Sequence, residues 1–230
     1  HTSKRHTIIL GNNKIKAIVE TLPQEVKLVA VSKFHPVESL LEAYSVGQRI
    51  FGESRVQELA QKYPVMPSDV EWHFIGHLQT NKVRQLVPFV NLIHSVDSVK
   101  LLACINNEAK RVDKVVNVLL QLHVAQEETK FGFTCDDCLA MVADGVLDEL
   151  QNVRVCGVMG MATNTDDDDA VRAEFKAIKA VFDALKSGYF ADKPYFKEVS
   201  MGMSDDYQVA IEEGSTLVRI GSSIFGARAY

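Results

Sequence analysis

Short apolar runs alternate along the chain with longer segments whose apolar residues recur at helical spacing. The first run, KLVAVSK (27–33), is followed by PVESLLEAYSVG (36–47), a helical pattern that ends on a glycine. Seven further runs repeat this order, at 49–53, 71–76, 91–96, 117–125, 153–162, 196–203 and 216–226. Helical patterns separate them, at 54–63, 80–89, 97–112, 135–150, 166–188 and 204–214. The chain therefore predicts eight strands that alternate with seven helices.

The predicted strands are near-continuous apolar runs, which is typical of strands covered by helices on both faces. Strand–helix alternation predicts a parallel α/β sheet with right-handed crossovers. Eight such units in 230 residues favour a closed (β/α)8 barrel, the TIM barrel, near the small end of its size range. The alternative is an open doubly wound sheet, which more often carries a glycine-rich loop after its first strand, and VAVSKFHP (29–36) has none. No break in composition divides the chain, so we predict one domain over 1–230, with an N-terminal helical extension at 1–26.

Composition and charge narrow the class of protein further. Hydrophobic residues make up 47% and charged residues 24%, as in an ordinary globular chain that buries a full core. The net charge of −5 weighs against a protein that mainly holds nucleic acid, because such domains carry a basic surface. No apolar stretch is long enough for a membrane span. The start, HTSKRHTIILGNN, lacks the apolar core of a secretion signal, and we expect it to continue from a longer chain.

Two stretches allow a metal or redox interpretation that a helix start also explains. The four cysteines, at 104, 135, 138 and 156, are too few for a disulfide framework, so we expect a reducing compartment, the cytoplasm. Cys135 and Cys138 form a CxxC without a second ligand pair, and Thr134 before them predicts a helix cap. The run DDDD (166–169) precedes a long amphipathic pattern, where carboxylates complement a helix N-terminus. We interpret both as helix starts and predict no metal site.

Polar residues collect where the predicted strands end. In a (β/α)8 barrel, binding and catalytic residues stand at the carboxyl ends of the strands. The residues at these ends include Ser32, Lys33, Glu53, Ser54, His77, His94, His123, Met161, Ser200, Arg219, Gly221, Ser222 and Ser223. They fall on one rim of the predicted barrel, which indicates a ligand site.

Lys33 and the segment RIGSSIFG (219–226) suggest which ligand this rim receives. A lysine amine that is buried loses part of its basicity and becomes a nucleophile for an aldehyde, although its head can also reach solvent from a strand end. Gly221, Ser222 and Ser223 offer backbone N–H groups and hydroxyls for a phosphate, although a tight turn also needs small residues. Because the last strand of a closed barrel pairs with the first, an aldehyde that carries a phosphate could bridge the two segments. Pyridoxal 5′-phosphate (PLP) is the common cofactor of that kind.

Arg219 stands two residues before Gly221 and so points to the same side of the strand. Its permanent charge could face the pyridine nitrogen of PLP and disfavour protonation of the ring. A structural pairing of Arg219 with Glu53 or Glu198 is the alternative interpretation.

Several motifs together carry a resemblance to a known family. They are VAVSK, FGESRVQE, WHFIGHLQTNK, HSVDS, ETKFGF, GVMGMA, SMGMSDD and VRIGSSIFGAR, and they run from about residue 28 to 228. In these motifs the chain resembles the pyridoxal phosphate homeostasis proteins. The resemblance implies a barrel similar to the cofactor domain of alanine racemases, with PLP held as an aldimine on Lys33. It implies further cofactor-binding residues, namely Ser200, Gly221 and Ser222 for the phosphate, Arg219 for the pyridine nitrogen, and Ser54, His77 and Met161 on the wall of the site. The family often has Asn where this chain has Ser54, which leaves that contact open.

The resemblance implies a protein that binds, buffers and delivers PLP and so supports vitamin B6 homeostasis, with no catalytic residue established. Apo forms of PLP-dependent enzymes are the candidate recipients. One alternative is a PLP enzyme such as a weak amino-acid racemase, with its second acid or base among His77, His94 and Tyr207. Another is a phosphosugar-binding barrel that uses Lys33 as an aldolase does. Racemases of this type add a β-domain, but only eleven residues follow Arg219, so we expect a monomer.

Overall fold

The computed structural model describes residues 14–128 and 131–225, and it forms a closed barrel of eight strands. The strands are β1 (Lys27–Val31), β2 (Ile50–Glu53), β3 (Glu71–Phe74), β4 (Leu92–Val96), β5 (Val116–His123), β6 (Val153–Met161), β7 (Glu198–Ser200) and β8 (Leu217–Ile220). Every neighbouring pair is parallel, and β8 closes the barrel against β1. The predicted (β/α)8 barrel is confirmed, and each predicted strand overlaps an observed one, although β5 begins one residue before its predicted run.

Helices cover the outside of the barrel. Residues 14–21 form α1, and the others are α2 (Val37–Ser45), α3 (Val56–Lys62), α4 (Val83–Leu86), α5 (Val99–Arg111), α6 (Cys135–Ala143), α7 (Asp168–Ser187), α8 (Tyr207–Glu212) and α9 (Ser222–Phe225). Short 3-10 turns lie at Tyr63–Val65, Thr80–Lys82 and Val146–Glu149. No helix in these described ranges is both long and apolar enough to cross a membrane.

Side-chain alternation along each strand divides the core into two layers. On β1, Leu28 and Ala30 belong to the large cluster that packs against the helices, whereas Val29 belongs to a small cluster inside the barrel. The inner cluster consists of Val29, Leu92, Leu119, Cys156, Met159 and Leu217. Two residues beyond Leu92 and Leu217, the buried inward-facing residues are His94 and Arg219. The barrel interior therefore turns polar towards the carboxyl ends of the strands.

Both predicted helix starts are confirmed by their caps. The side chain of Thr134 accepts a hydrogen bond from the backbone N–H of Asp137 at 3.1 Å, and α6 begins at Cys135, the residue after Thr134. The side chain of Asp167 accepts the backbone N–H groups of Asp169 and Ala170 at 3.1 and 3.2 Å. The described residues contain no group of three or more His, Cys, Asp or Glu that could hold a metal ion, and the cysteines are free thiols.

The prediction for the last apolar run, 216–226, was wrong in its second half. The strand ends at Ile220, and Ser222–Phe225 is a short helix instead. The carbonyl of Gly221 accepts the backbone N–H groups of Ile224 and Phe225, both at 3.0 Å, which turns the chain into a helix. A short apolar run does not by itself distinguish these two conformations. The predicted N-terminal extension, 1–26, stays a prediction because residues 1–13 lie outside the described part of the chain.

Candidate functional site

Lys33 lies in a turn directly after β1, at the carboxyl end of the barrel. Its side chain is half-buried, between the fully buried Ser32 and the half-buried Phe34. The start of the last helix lies against the same strand, because a Cβ on Gly221 would come within 2.9 Å of the Cβ of Val31. Only glycine therefore fits at 221 without a shift of β1. The two segments that the sequence predicted to meet, the turn around Lys33 and the residues after β8, are neighbours at one rim.

The turn that carries Lys33 is held from behind by two side chains of α3. The ammonium of Lys62 donates to the carbonyl oxygen of Ser32 at 2.9 Å, and a carboxylate oxygen of Glu58 accepts the backbone N–H of Phe34 at 2.7 Å. Phe34 has a φ of +67°, a left-handed conformation that is uncommon for a bulky residue. Glu58 and Lys62 therefore fix the peptide units on either side of Lys33.

These two side chains belong to a buried ionic cluster, which we define as Glu53, Glu58 and Lys62. Glu53 is fully buried at the end of β2, and Lys62 donates to its two oxygens at 3.0 and 3.1 Å and to Glu58 at 2.6 Å. The hydroxyl of Ser32 donates a further hydrogen bond to Glu53. Burial raises the pKa of Glu53 to about 7, and the positive charge of Lys62 opposes that rise. Because the net contribution of a buried ion pair to stability is small, we interpret this cluster as one that positions the Lys33 turn.

Arg219 is buried inside the barrel, near the carboxyl end of β8. Its guanidinium donates to the hydroxyl of Ser200 and, at 3.1 Å, to the carbonyl oxygen of Gly160. Burial lowers the pKa of Arg219 to about 10, and the carboxylate of Asp206 opposes this, so the group stays charged at neutral pH. Neither Glu53 nor Glu198 forms an ion pair with it, so the structural pairing considered for this arginine is not what the described residues show. The rim therefore holds a buried cation whose hydrogen-bond partners are neutral.

Ser200 ends β7 and is fully buried, with its hydroxyl turned into the barrel towards Arg219 and His94. Gly221 and Ser222 follow β8, and Ser222 is the first residue of α9. The phosphate contacts predicted for these three residues stay predictions. The positions of Gly221 and Ser222 are compatible with the phosphate site that many such barrels form after their last two strands, whereas the Ser200 hydroxyl is engaged by Arg219 and His94.

The three residues predicted on the wall of the site follow other strands. Ser54 follows β2 and is half-buried, and it lines a cavity of about 370 Å³ together with the exposed His77. The imidazole of His77 stacks on the ring of Phe131, with centroids 3.8 Å apart, and lies 3.7 Å from a carboxylate oxygen of Asp97. Met161 ends β6 and is 42% exposed. All three stand at the carboxyl rim, and their predicted contacts with the cofactor stay predictions.

Sequence reasoning missed four residues of this region: Glu58, Lys62, His73 and Phe131. The spacing of Glu58 and Lys62 by four residues on a predicted helix was a usable signal, because such a pair shares one face. His73 lies in the middle of a predicted strand, where nothing in the apolar pattern marks it as part of a network. Phe131 belongs to no predicted strand or helix, so no pattern in the sequence places it beside His77.

The fold and this arrangement of residues first define a class of protein. The model of the family described as "Alanine racemase, N-terminal domain" matches residues 12–229. A curated pyridoxal phosphate homeostasis protein of Aquifex aeolicus is 42% identical over 205 residues, which cover 89% of this chain and 88% of the relative. One of Schizosaccharomyces pombe is 38% identical over 209 residues, which cover 89% and 85%. The chain belongs to the family of pyridoxal phosphate homeostasis proteins.

A solved structure agrees with this family over nearly the whole chain. PipY of Synechococcus elongatus, crystallised without PLP, superposes with a TM-score of 0.87 at 34% identity, covering 94% of this chain and 99% of its own. The structure of PipY with PLP bound superposes with a TM-score of 0.83, at the same identity, and covers 94% and 100%.

Proposed function

We propose that this protein binds PLP at the carboxyl rim of its barrel and holds it for use elsewhere in the cell. The observation that carries the proposal is the meeting, at one rim, of the Lys33 turn with a buried, charged Arg219 whose hydrogen-bond partners are neutral. PLP, when bound, supplies an aldehyde that a lysine amine can hold, a phosphate, and a ring nitrogen that accepts a hydrogen bond. The family name and the PLP-bound PipY support the same ligand.

The residues at the rim fit that ligand chemically. Arg219 is donor-only and permanently charged, so it suits an acceptor such as a pyridine nitrogen and disfavours protonation there. Lys33 is held in place by the contacts of Glu58 and Lys62 with the peptide units beside it. Gly221 lets the chain after β8 pack directly against Val31, two residues before Lys33, so the residues that follow β8 lie beside the Lys33 turn.

A carrier fits the described residues better than a two-base racemase does. Of the three candidates for a second acid or base, His94 is fully buried, with both ring nitrogens engaged inside the barrel. His77 is stacked on Phe131 at the rim, and Tyr207 is half-buried at the start of α8. If the ring nitrogen of PLP lay at Arg219, the guanidinium would keep it unprotonated and reduce the electron withdrawal that the cofactor could supply.

The binding site is tested by adding PLP to the purified protein and recording its absorption spectrum, followed by borohydride reduction and peptide mass mapping. We expect a new band, its loss on reduction, and a mass increase that maps to Lys33. Lys33→Ala should abolish the band, whereas Lys27→Ala, an exposed lysine at the opposite end of the same strand, should leave it unchanged. No band in the unmodified protein, or a mass increase on another lysine, would refute the proposal.

The carrier role is tested by handover. Loaded protein is mixed with an apo form of a PLP-dependent aminotransferase, and the rate of enzyme activation is compared with the rate at which PLP escapes to a trapping amine. If the apo-enzyme is activated faster than PLP escapes, the protein delivers PLP directly. If the two rates are equal, the protein only buffers PLP, which reaches the enzyme through free solution. Sustained racemisation of alanine that depends on Lys33 would replace the carrier role by an enzymatic one.

A further inference from the structure

A chain of hydrogen bonds crosses the interior of the barrel from one end to the other. Its members are Glu71, His73, His94, Ser200 and Arg219. At the amino end, a carboxylate oxygen of Glu71 lies 2.6 Å from Nε2 of His73. Nδ1 of His73 lies 2.8 Å from Nε2 of His94, and Nδ1 of His94 lies 2.9 Å from the hydroxyl oxygen of Ser200. Arg219 then donates to that same hydroxyl at the carboxyl end.

When both histidine rings are neutral, the two ends of this hydrogen-bonded chain dictate the direction of every bond in it. A guanidinium can only donate and a carboxylate can only accept. Ser200 therefore accepts from Arg219 and donates its one hydrogen to Nδ1 of His94. His94, when neutral, carries its proton on Nε2 and donates it to Nδ1 of His73. His73 in turn donates from Nε2 to Glu71, which leaves one tautomer for each ring.

The charge states that this assignment requires agree with the surroundings of the groups. Burial lowers the pKa of His94 well below its usual value, and the charge of Arg219 adds to this, so the ring is neutral. The hydrogen bond from His73 lowers the pKa of Glu71, which keeps this carboxylate ionised at neutral pH. All the interior members, from His73 to Arg219, are at most 4% exposed, so water does not compete for these bonds.

We propose that His73 and His94 are positioning residues, which pass the acceptor strength of the Glu71 carboxylate through the barrel to Ser200 and thereby orient Arg219 at the ligand rim. The effect on the ligand rests on the proposed PLP site, whereas the chain of bonds itself does not. The carboxylate of Glu71 is 48% exposed at the opposite end of the barrel. It lines a cavity of about 350 Å³ there, together with His73, Lys27, Arg154 and Glu198 among others. The charge at one end of the barrel is thus coupled to the binding site at the other.

We call the hydrogen-bonded chain from Glu71 to Arg219 the relay. Matched substitutions at its amino end separate transmission through the relay from a general electrostatic effect. Glu71→Gln removes the charge and ends the acceptor-only character of the terminal group. Glu198→Gln removes an equal charge from the same cavity, but the Glu198 carboxylate accepts from the hydroxyl of Thr216 and takes no part in the relay.

The first measurement uses the protein without PLP. Long-range ¹H–¹⁵N correlation of the histidine side chains should show, for both His73 and His94, a protonated Nε2 and a bare Nδ1. The ¹⁵N signals of both rings should move in Glu71→Gln and stay in place in Glu198→Gln. A protonated Nδ1 on either ring, or a His94 signal that Glu71→Gln leaves unmoved, would overturn the relay.

The second measurement follows PLP release from the loaded protein into a trapping amine. One weakened hydrogen bond changes an equilibrium by about threefold to tenfold, so Glu71→Gln should speed release by about that factor while Glu198→Gln does not. Ser200→Ala removes the hydroxyl that links His94 to Arg219. In that variant, Glu71→Gln should have no further effect on the rate of PLP release. Equal effects of the two Gln variants, or additive effects of Glu71→Gln and Ser200→Ala, would refute the coupling. If the unmodified protein binds no PLP, the proposed function fails while the histidine tautomers still decide the relay.

Discussion

Lys62→Met is the sharpest test of the buried ionic cluster behind Lys33. Methionine has about the length and shape of the lysine stem, so the change mainly removes the ammonium. Four hydrogen bonds disappear with it, to the carbonyl of Ser32, to both carboxylate oxygens of Glu53 and to Glu58. Two carboxylates then face each other across a site where Lys62 was only 6% exposed.

Removal of one partner from a buried ion pair costs about 3–5 kcal/mol, because the other charge stays buried without compensation. Glu53 escapes part of this cost by taking up a proton, since burial already raises its pKa to about 7 with Lys62 in place. We therefore expect a loss of about 3 kcal/mol in the free energy of unfolding at neutral pH, the lower end of that range.

The loss should also grow with pH, and the sign follows from proton linkage. Without Lys62, the folded-state pKa of Glu53 rises further above the unfolded value of 4.5. The folded state then binds a proton that the unfolded state has lost, so stability falls as pH rises through that interval. In the unmodified protein the same fall ends near the pKa of about 7. Above that pH, only the variant should continue to lose stability.

The assay is urea unfolding of the protein without PLP at several pH values. It follows the fluorescence of Trp72, the single tryptophan, which is 1% exposed. The matched control is Lys179→Met, which breaks another i,i+4 pair, with Asp183, on a partly exposed helix face. That control should change stability by less than about 1 kcal/mol. If Lys62→Met costs no more than Lys179→Met, or if its cost does not grow with pH, the Lys62 ammonium does not compensate the buried charge of Glu53 and Glu58 as these contacts indicate.

Three further expectations follow from single contacts. Thr134→Ala removes the cap of α6 and should lower the free energy of unfolding by about 1 kcal/mol, measured by urea titration, whereas Thr134→Ser should retain most of it. Gly157→Ala would place its Cβ 1.8 Å from the carbonyl oxygen of Glu198, so it should cost at least about 2 kcal/mol or prevent folding, seen as lost yield or a lower Tm. Burial raises the pKa of the Cys138 thiol to about 12, so at pH 8 a thiol reagent should modify Cys104 first and reach Cys138 only after denaturation.

The barrel was predictable because its signals are local and repeat along the chain. Each strand is an apolar run followed by a helical pattern, and parallel pairing of buried strands then follows from the connections. The exception is 216–226, where Gly221 interrupts one apolar run and the residues after it return into a helical turn. That outcome depends on the close approach of Gly221 to Val31, which brings together residues 190 positions apart in the sequence.

The candidate site was predictable only where a charged residue stands near the end of a predicted strand. Lys33 and Arg219 stand at the ends of apolar runs, where a charge is costly and so calls for an explanation. His73 gave no such signal, because a neutral imidazole inside a strand is compatible with an ordinary core, and the position of His94 near a predicted strand end did not reveal its partners. Their role follows from the register of β3 and β4, which places their ring nitrogens 2.8 Å apart.

Two polar networks converge on the rim from different sides of the sheet. The ionic cluster of Glu53, Glu58 and Lys62 lies between the barrel and α3 and holds the turn of Lys33, whereas the relay runs inside the barrel and ends on Arg219. Buried polar groups are costly unless they are fully satisfied, and a fully satisfied network rigidifies what it contacts. A rim that only stored a flexible ligand would need neither network. Their joint presence argues that the positions of Lys33 and Arg219 relative to each other are what this fold maintains.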